Sequence, residues 1–247
     1  MSKSDIAVIL PSEEDGWEVW SSNKGVMKHA RSIEGAVTKF TGQVGDCVAF
    51  SVCRVATLPM LVPSSEEEIF RGAAQLELEN AGLLVDEEYQ GWDCLEVSTS
   101  KENSFVSAIY LLEEELNELN DLRHYSFDYS ARFYTPQEKG DCMALWKERH
   151  TWCLVFYRNN VPFLTEPLGA EIEDLAMTVN LLFSQLEVKG IFFQPTEVRL
   201  WSESQKAASL EQQFREAGLQ MKTEPRPNPS IPKGHIELQP SEASAWQ

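Results

Sequence analysis

The feature that most constrains the fold is an internal repeat with an offset of 135 residues. Trp152 follows Trp17 by this distance, and Val161 follows Val26 by the same distance. In each half, the tryptophan begins an apolar strand pattern and the valine follows the turn after it. A repeat of this length predicts one supersecondary unit present twice, so the two halves of the chain should resemble each other.

The order of predicted elements agrees between the two halves: strand, strand, strand, helix, strand, helix. In the first half the segments are Ile6–Leu10, Trp17–Trp20, Val26–Arg31, Ser32–Phe40, Cys47–Val55 and a helix that opens at Pro63. In the second half they are 141–145, 152–157, the segment from Val161, Ala170–Leu186, Thr196–Trp201 and Gln205–Ala217. Two such units packed face to face predict an α/β fold of two similar lobes, with mixed sheets flanked by helices. Identity between the halves is low, so chance agreement stays open as the alternative.

The helix that opens at Pro63 has residues at helical spacing, which predicts that Ile69, Ala73, Leu76 and Asn80 mark one face that packs against the rest of the protein. Gly82 is expected to end this helix. Two further strands, Cys94–Val97 and Phe105–Leu111, and a helix over Glu113–Arg123 follow. We therefore expect a first lobe over residues 1–135 and a shorter second lobe over residues 136–222.

The segment 223–247 differs in composition from the rest of the chain, because prolines crowd a polar stretch. Such a segment predicts an extended linker or tail that has neither helix nor core. Whether it leads to a further segment, reaches a partner or has no role stays open.

The formal net charge of −18 excludes nucleic acid and anionic lipid as partners, since binding either requires clusters of Lys and Arg. The five cysteines are odd in number and irregularly spaced, which favours reduced thiols in the cytoplasm over a disulfide framework. The apolar run after the N-terminus is too short for a signal peptide, and no apolar stretch is long enough to span a membrane.

Two groups of segments carry a resemblance to a known family. The first is Leu58–Pro63, followed by a helix with an acidic start that ends in Glu79–Leu84. The second is Trp152–Tyr157 with its turn Arg158–Asn160, and then Val198–Trp201. Together they resemble the divergent branch of the actin-like ATPase superfamily, which contains the cytoplasmic domain of the type II secretion protein GspL and the PilM-type pilus assembly proteins.

This resemblance implies a non-catalytic cytoplasmic platform that docks the system ATPase and inner-membrane partners. Another copy of the chain is a further candidate partner. The location implied is the inner face of the inner membrane, with the proline-rich tail as a juxtamembrane linker.

The turns that cradle phosphates in active actin-like ATPases are altered in this sequence. The first turn carries Glu13, Glu14 and Asp15, which repel a triphosphate, and Gly16 is its only glycine. The second turn, Trp146–Thr151, has neither Asp nor Gly. Lys147 and Arg149 could hold a phosphate, but we expect them to be solvated surface charges. Ser202–Ser204 lacks the glycine pair that admits adenosine. The sequence thus predicts no catalytic residues, no cofactor and no bound metal. An active actin-like ATPase and an unrelated α/β regulatory protein are the alternatives.

Other candidate sites are weaker. The spacing of Cys142, His150 and Cys153 fits no common zinc pattern. The segment Gly42–Gly45 has the outline of an RNA-binding loop, but a plain turn suits so acidic a chain better. Glu171 and Asp174 form no evident acid–base pair and are expected on a solvated face.

Overall fold

The computed structural model describes residues 6–22, 24–25, 28–37, 47–64, 66–83, 91–100, 102–112, 126–136, 140–195, 197–202, 207–232, 236 and 238. In chain order, the strands of this part are Ala7–Pro11 (β1), Trp17–Ser21 (β2), Lys28–Ala30 (β3), Cys47–Phe50 (β4), Val55–Val62 (β5), Trp92–Thr99 (β6), Ser104–Leu111 (β7), Ser126–Tyr129 (β8), Asp141–Glu148 (β9), Thr151–Arg158 (β10), Val161–Gly169 (β11), Glu197–Leu200 (β12) and Gln220–Thr223 (β13). The α-helices are Ile33–Val37 (α1), Glu67–Asn80 (α2), Leu175–Val188 (α3) and Ala207–Glu216 (α4). Within the ranges given, none of these helices is long and apolar enough to cross a membrane.

Two five-stranded sheets have the same topology. Their strand orders are β3-β2-β1-β4-β8 and β11-β10-β9-β12-β13. In each sheet the first three strands in sequence are antiparallel neighbours. In the first sheet, β4 lies between β1 and β8 and runs parallel to both. In the second sheet, β12 lies between β9 and β13 in the same way. The predicted duplication is therefore confirmed in strand order and direction. The helix predicted at Glu113–Arg123 and the turn predicted at Gly42–Gly45 lie outside the described residues.

A third sheet interrupts the first lobe between β4 and β8. It has the order β5-β7-β6 and is antiparallel throughout. Helix α2 packs on this sheet through Phe70, Ala74 and Leu78. The predicted face of this helix was wrong, because Ile69 and Leu76 are 46% and 61% exposed. A second set of residues at the same spacing contains the larger Phe70, and that set faces the sheet.

The segment predicted as one strand over Cys47–Val55 is divided. Strand β4 ends at Phe50, and residues 52–54 form a 3-10 turn before β5 begins. The Ser51 hydroxyl accepts a hydrogen bond from the Cys53 N–H at 3.2 Å and caps this turn. The chain uses the turn to leave the first sheet and enter the third.

The sheet of the second lobe is buried on both faces. One face of β9 and β10 packs in a core shared with β1 and β4 of the first lobe, through Cys142, Ala144, Trp146, Cys153, Val155 and Tyr157. The opposite face packs against α3 and α4, through Met143, Leu145, Leu154 and Phe156. The hairpin of β9 and β10 is therefore the central layer of the molecule.

The prediction that the segment after residue 222 lacks core contacts was wrong at Ile236 and Leu238. Ile236 and Leu238 are buried in the core that contains the first sheet. The backbone N–H of Ser230 donates to the Phe133 carbonyl at 2.9 Å. Prolines exclude a helix here but allow an extended chain, and this one packs against the first lobe.

Candidate functional site at the junction of the two lobes

Two turns, one from each lobe, meet where the five-stranded sheets adjoin. The first turn, residues 12–16, connects β1 to β2, and the second is formed by Arg149 and His150 between β9 and β10. The backbone N–H of Arg149 donates to the Ser12 carbonyl at 2.9 Å, and that of His150 donates to the Glu13 carbonyl at 2.9 Å. The two turns are thus joined directly, main chain to main chain.

The second turn holds two residues in the left-handed backbone region. Arg149 has a φ of 46° and His150 a φ of 64°. Two consecutive residues with positive φ are typical of a type I′ hairpin turn, which favours Asn and Gly. For other residues this conformation costs about 1–3 kcal/mol each. The hydrogen bonds to the first turn offset part of this cost, so the pairing supports a backbone shape that the residues alone disfavour.

The first turn is closed tightly by its one glycine. Gly16 has a φ of 101°, and a Cβ at this position would lie 2.5 Å from the Ala30 carbonyl oxygen. The Ser12 N–H donates to the Gly16 carbonyl at 3.2 Å across the turn. Gly16 therefore allows a close approach to the neighbouring strand β3.

The two cations singled out in the sequence lie over tryptophan rings. The Arg149 guanidinium lies 4.6 Å from the ring centre of Trp17, and the Lys147 ammonium lies 5.2 Å from that of Trp152. Both side chains are half-buried, so they are only partly solvated, less than the expected surface charges would be. An aromatic face attracts a cation, and the indole is its strongest partner among side chains.

This arrangement bears on phosphate binding. Backbone N–H groups of such turns are the donors that a phosphate requires. Here the N–H groups of Arg149 and His150 already donate to carbonyl oxygens of the first turn. The carboxylate of Asp15 lies on the exposed side, 3.4 Å from the His150 Nε2 atom. A phosphate would have to break both main-chain bonds and approach acidic side chains.

A buried carboxylate lies directly behind the second turn. Glu148 is fully buried at the end of β9, and its Oε2 atom accepts hydrogen bonds from the Ser51 hydroxyl and the Val52 N–H, each at 2.9 Å. Its Oε1 atom accepts from the Trp146 indole N–H at 2.8 Å. Burial raises the pKa of Glu148, while these hydrogen bonds lower it in part. The Glu148 side chain of the second lobe thus accepts hydrogen bonds from the 3-10 turn of the first lobe and its capping residue.

An arginine from the C-terminal segment enters the same junction. Arg226 forms an ion pair with Glu18 at 2.7 Å, and their side chains are only 12% and 6% exposed. Its guanidinium lies 4.8 Å from the ring centre of Tyr134. Two residues earlier, Glu224 accepts hydrogen bonds from Arg199 and Trp201 of the second lobe. Residues 224–230 therefore contact both lobes, and we call them the strap.

Sequence reasoning missed Glu148 and Arg226. The signal for Glu148 was available, because alternate residues of β9 face the shared core and Glu148 continues the series of Cys142, Ala144 and Trp146. No comparable signal existed for Arg226. Its buried partner Glu18 lies in a strand that was expected to be half-buried, but all five residues of β2 are buried.

The other candidate residues do not form a site. In the register of the β9–β10 hairpin, Cys142 pairs with Tyr157 and Cys153 pairs with Trp146, so the two cysteines lie four pairs apart. Within the part of the chain that is described, no group of three or more His, Cys, Asp or Glu side chains is placed to hold a metal ion. Glu171 and Asp174 are exposed, as expected.

Three solved structures share this fold over most of the chain. The cytoplasmic domain of EpsL, an inner-membrane component of the type II secretion system of Vibrio cholerae, is 12% identical over 91% of this chain and 90% of that chain, with a TM-score of 0.50. A structure of the PilM–PilN type IV pilus biogenesis complex matches at 14% identity over 88% and 84%, with a TM-score of 0.54. A Bacteroides thetaiotaomicron protein with an actin-like ATPase fold and unknown function matches at 13% identity over 90% and 91%, with a TM-score of 0.51.

The comparisons establish the fold. No protein-family model and no curated protein matches the sequence. The similarity to the solved structures nonetheless confirms the predicted actin-like fold of two similar lobes, and it includes both kinds of protein that the sequence resembles. At these identities, the similarity shows the fold and leaves the function to be argued from the junction of the lobes.

Proposed function

We propose that this chain is a non-catalytic assembly platform of a type II secretion or type IV pilus machine. The observation that carries the proposal is the main-chain pairing of the two turns, in which Arg149 and His150 donate to Ser12 and Glu13. The same groups would bind phosphates in an active relative, so their use inside the protein disfavours a nucleotide. The fold then acts through its surfaces.

Binding of MgATP separates this proposal from the alternative of an active actin-like ATPase. Isothermal titration calorimetry on the full chain should detect no binding tighter than about 1 mM, which corresponds to about −4 kcal/mol. A phosphate-release assay should give the rate of buffer alone. Micromolar binding that depends on magnesium would favour the ATPase and contradict the proposal.

The partners we propose are the ATPase of the machine and its inner-membrane proteins. Support comes from the solved structures of the same fold, since EpsL is an inner-membrane component and PilM forms a complex with PilN. On this proposal, the chain works in the cytoplasm at the inner face of the inner membrane. The lobes would comprise residues 1–135 and 136–222. Residues 223–247 would link the platform to its surroundings, although the strap and the buried Ile236 and Leu238 hold part of this segment against the lobes.

Helix α3 offers a surface suited to such a partner. Met177, Leu181 and Val188 are 68%, 57% and 89% exposed, and Phe192, just beyond the helix, is 74% exposed. Exposed carboxylates at Glu173 and Glu187 lie near these apolar residues in sequence, and the exposed Lys189 is paired with Glu77. Apolar surface of this kind marks interaction sites, and acidic flanks complement a basic segment. We therefore propose an amphipathic, basic cytoplasmic segment of an inner-membrane partner as the occupant of the α3 surface, defined by these residues.

The α3 surface is tested with a double variant, Met177→Ser with Phe192→Ser. Binding of a fluorescent amphipathic peptide rich in Lys and Arg should weaken at least about tenfold, which is about 1.4 kcal/mol. The matched control is Ile69→Ser with Leu76→Ser, which removes exposed apolar side chains from α2 instead. Equal binding by all three proteins would show that the α3 surface is not the docking site. Concentration-dependent self-association lost in the α3 variant alone would assign the surface to a second copy.

A further inference from the structure

Two thiols from different lobes are in contact beside the junction. Cys53 lies in the 3-10 turn that follows β4, and Cys153 lies in β10 of the second lobe. Their Sγ atoms are 3.2 Å apart, although the residues are separated by 100 positions in sequence. Both cysteines are free, and a disulfide needs its sulfur atoms about 2.05 Å apart. Only a small movement of the two sulfur atoms toward each other is therefore needed to form a disulfide bond.

Only one of the two thiols can be reached from a surface groove. Cys153 is fully buried, whereas Cys53 is half-buried and lines a groove of about 390 Å³. The groove runs between β5 of the third sheet and β11 and α3 of the second lobe, and apolar side chains such as Leu58, Leu164 and Leu186 form much of its wall. A small neutral oxidant can enter such a groove and reach Cys53 before Cys153.

The surroundings also give the two thiols different reactivity. The hydrogen bond with Cys153 lowers the pKa of Cys53, although burial opposes this effect. The same hydrogen bond and burial raise the pKa of Cys153 well above its ordinary value. Thiolates are the nucleophiles in oxidation and exchange, so Cys53 is the group that reacts first.

We propose that Cys53 and Cys153 form a reversible disulfide between the lobes when the protein meets hydrogen peroxide. The Cys53 thiolate attacks one peroxide oxygen, the O–O bond breaks, and hydroxide leaves, so that Cys53 becomes a sulfenic acid. The Cys153 sulfur then attacks the Cys53 sulfur, the S–S bond forms and the S–O bond breaks. The hydroxyl leaves as water with the thiol proton. Two thiols lose two electrons in total, and one peroxide is reduced to two waters.

The disulfide would join the central hairpin to the turn that leads into the third sheet. Because it closes a loop of about 100 residues, it would restrict the unfolded chain and raise the thermal midpoint of unfolding. It would also fix the width of the groove at the end lined by Cys53. A small dithiol such as dithiothreitol reverses the bond by exchange.

The experiment uses the full reduced chain, treated with a small molar excess of hydrogen peroxide and digested without reductant. The expected product is one linked peptide pair containing Cys53 and Cys153, two hydrogens lighter than the sum of the reduced peptides. The intact oxidised protein should have a raised thermal midpoint of unfolding, which returns to the value of the reduced protein when dithiothreitol is added. Cys94→Ser is the matched control and should form the link normally, because burial raises the pKa of Cys94 to about 11. In Cys153→Ser, Cys53 should stop at the sulfenic acid, which dimedone traps.

Oxidation of Cys53 to sulfinic acid in the wild-type protein, without a linked peptide, would overturn the proposal. So would a link between two chains in place of the link within one. These outcomes are read on the wild-type chain, so they decide the question even where a serine variant fails to fold. Circular dichroism of each variant establishes whether it has folded.

Discussion

At the scale of single residues, Glu148 occupies an environment that its residue type disfavours, because its carboxylate is fully buried. A buried carboxylate loses its hydration, and this loss is tolerated only where hydrogen-bond donors replace the water. Glu148 receives donors from its own strand, through Trp146, and from the first lobe, through Ser51 and Val52. We interpret Glu148 as a hydrogen-bonded link between the lobes that also keeps the second turn in place.

Substitution of Glu148 by Gln should destabilise the protein. The amide keeps the shape but turns one acceptor into a donor, which then faces the Trp146 N–H or the Ser51 and Val52 donors. Leaving such groups unsatisfied costs about 1–3 kcal/mol, measured as the free energy of unfolding in urea. Glu187→Gln, at an exposed position of α3, should change this free energy by less than about 0.5 kcal/mol. An E148Q variant as stable as the E187Q control would show that the hydrogen bonds of Glu148 do not link the lobes.

The pH dependence of this difference follows from the raised pKa of Glu148. Because burial raises the pKa in the folded state above the ordinary 4.5, the stabilisation associated with protonation is complete below pH 4.5. It is lost as the pH rises through the folded-state pKa. The stability advantage of wild type over Glu148→Gln should therefore shrink as pH is raised from 4.5. An advantage that grows with pH would mean that the hydrogen bonds outweigh burial and that the pKa is lowered.

At the scale of elements, the strap changes the role expected of the C-terminal segment. Its charges meet both lobes, with Glu224 contacting Arg199 and Arg226 contacting Glu18. Proline-rich composition correctly predicted that residues 224–232 form no helix. Composition does not reveal that an extended segment will pack, because a strand-like strap and a free linker have the same local pattern. The buried partner of Arg226 lies far away in sequence, because Glu18 precedes it by 208 positions.

Removal of the strap arginine should cost more than removal of an exposed one. Arg226→Met leaves the Glu18 carboxylate buried without its ion-pair partner, and breaking such a pair costs about 3–5 kcal/mol in the free energy of unfolding. Arg215→Met is the control, because its pair with Glu211 is exposed, and it should cost less than about 1 kcal/mol. The double variant Arg226→Met with Glu18→Met should recover much of the loss. A single variant as mild as the control would show that the strap does not hold the lobes.

Other elements show where local pattern is sufficient and where it fails. Strands β1 and β7 were predicted well, because continuous apolar runs bounded by turn residues indicate buried strands directly. Strand β9 was located by the repeat offset, but it extends to Glu148, three residues beyond the predicted end. The buried face of α2 was misassigned because two sets of apolar residues share the helical spacing, and only packing against the third sheet selects Phe70. The division after β4 depends on the Ser51 cap, a single local hydrogen bond within an otherwise continuous strand pattern.

At the scale of the whole molecule, duplication was the most reliable prediction, since equal order over six elements survives low residue identity. The lobes differ mainly in what lies between their fourth and fifth strands: α4 in the second lobe, and the third sheet with α2 in the first. The candidate site was predictable only in part. The sequence located the first turn, but the second is shorter than the predicted Trp146–Thr151, because only Arg149 and His150 lie outside β9 and β10. The sequence could not indicate that the two turns bond to each other, since the bonds join main-chain groups and depend on how the lobes approach.

The central claim is that the paired turns occupy the place of the phosphates, and residue-resolved amide hydrogen exchange at Arg149 and His150 tests it most directly. Both amides donate across the junction, so we predict slow exchange in the free protein and no change on adding MgATP. Rapid exchange in the free protein that becomes slow when MgATP is added would contradict the account, because it would mean that the turns are open and close on a nucleotide.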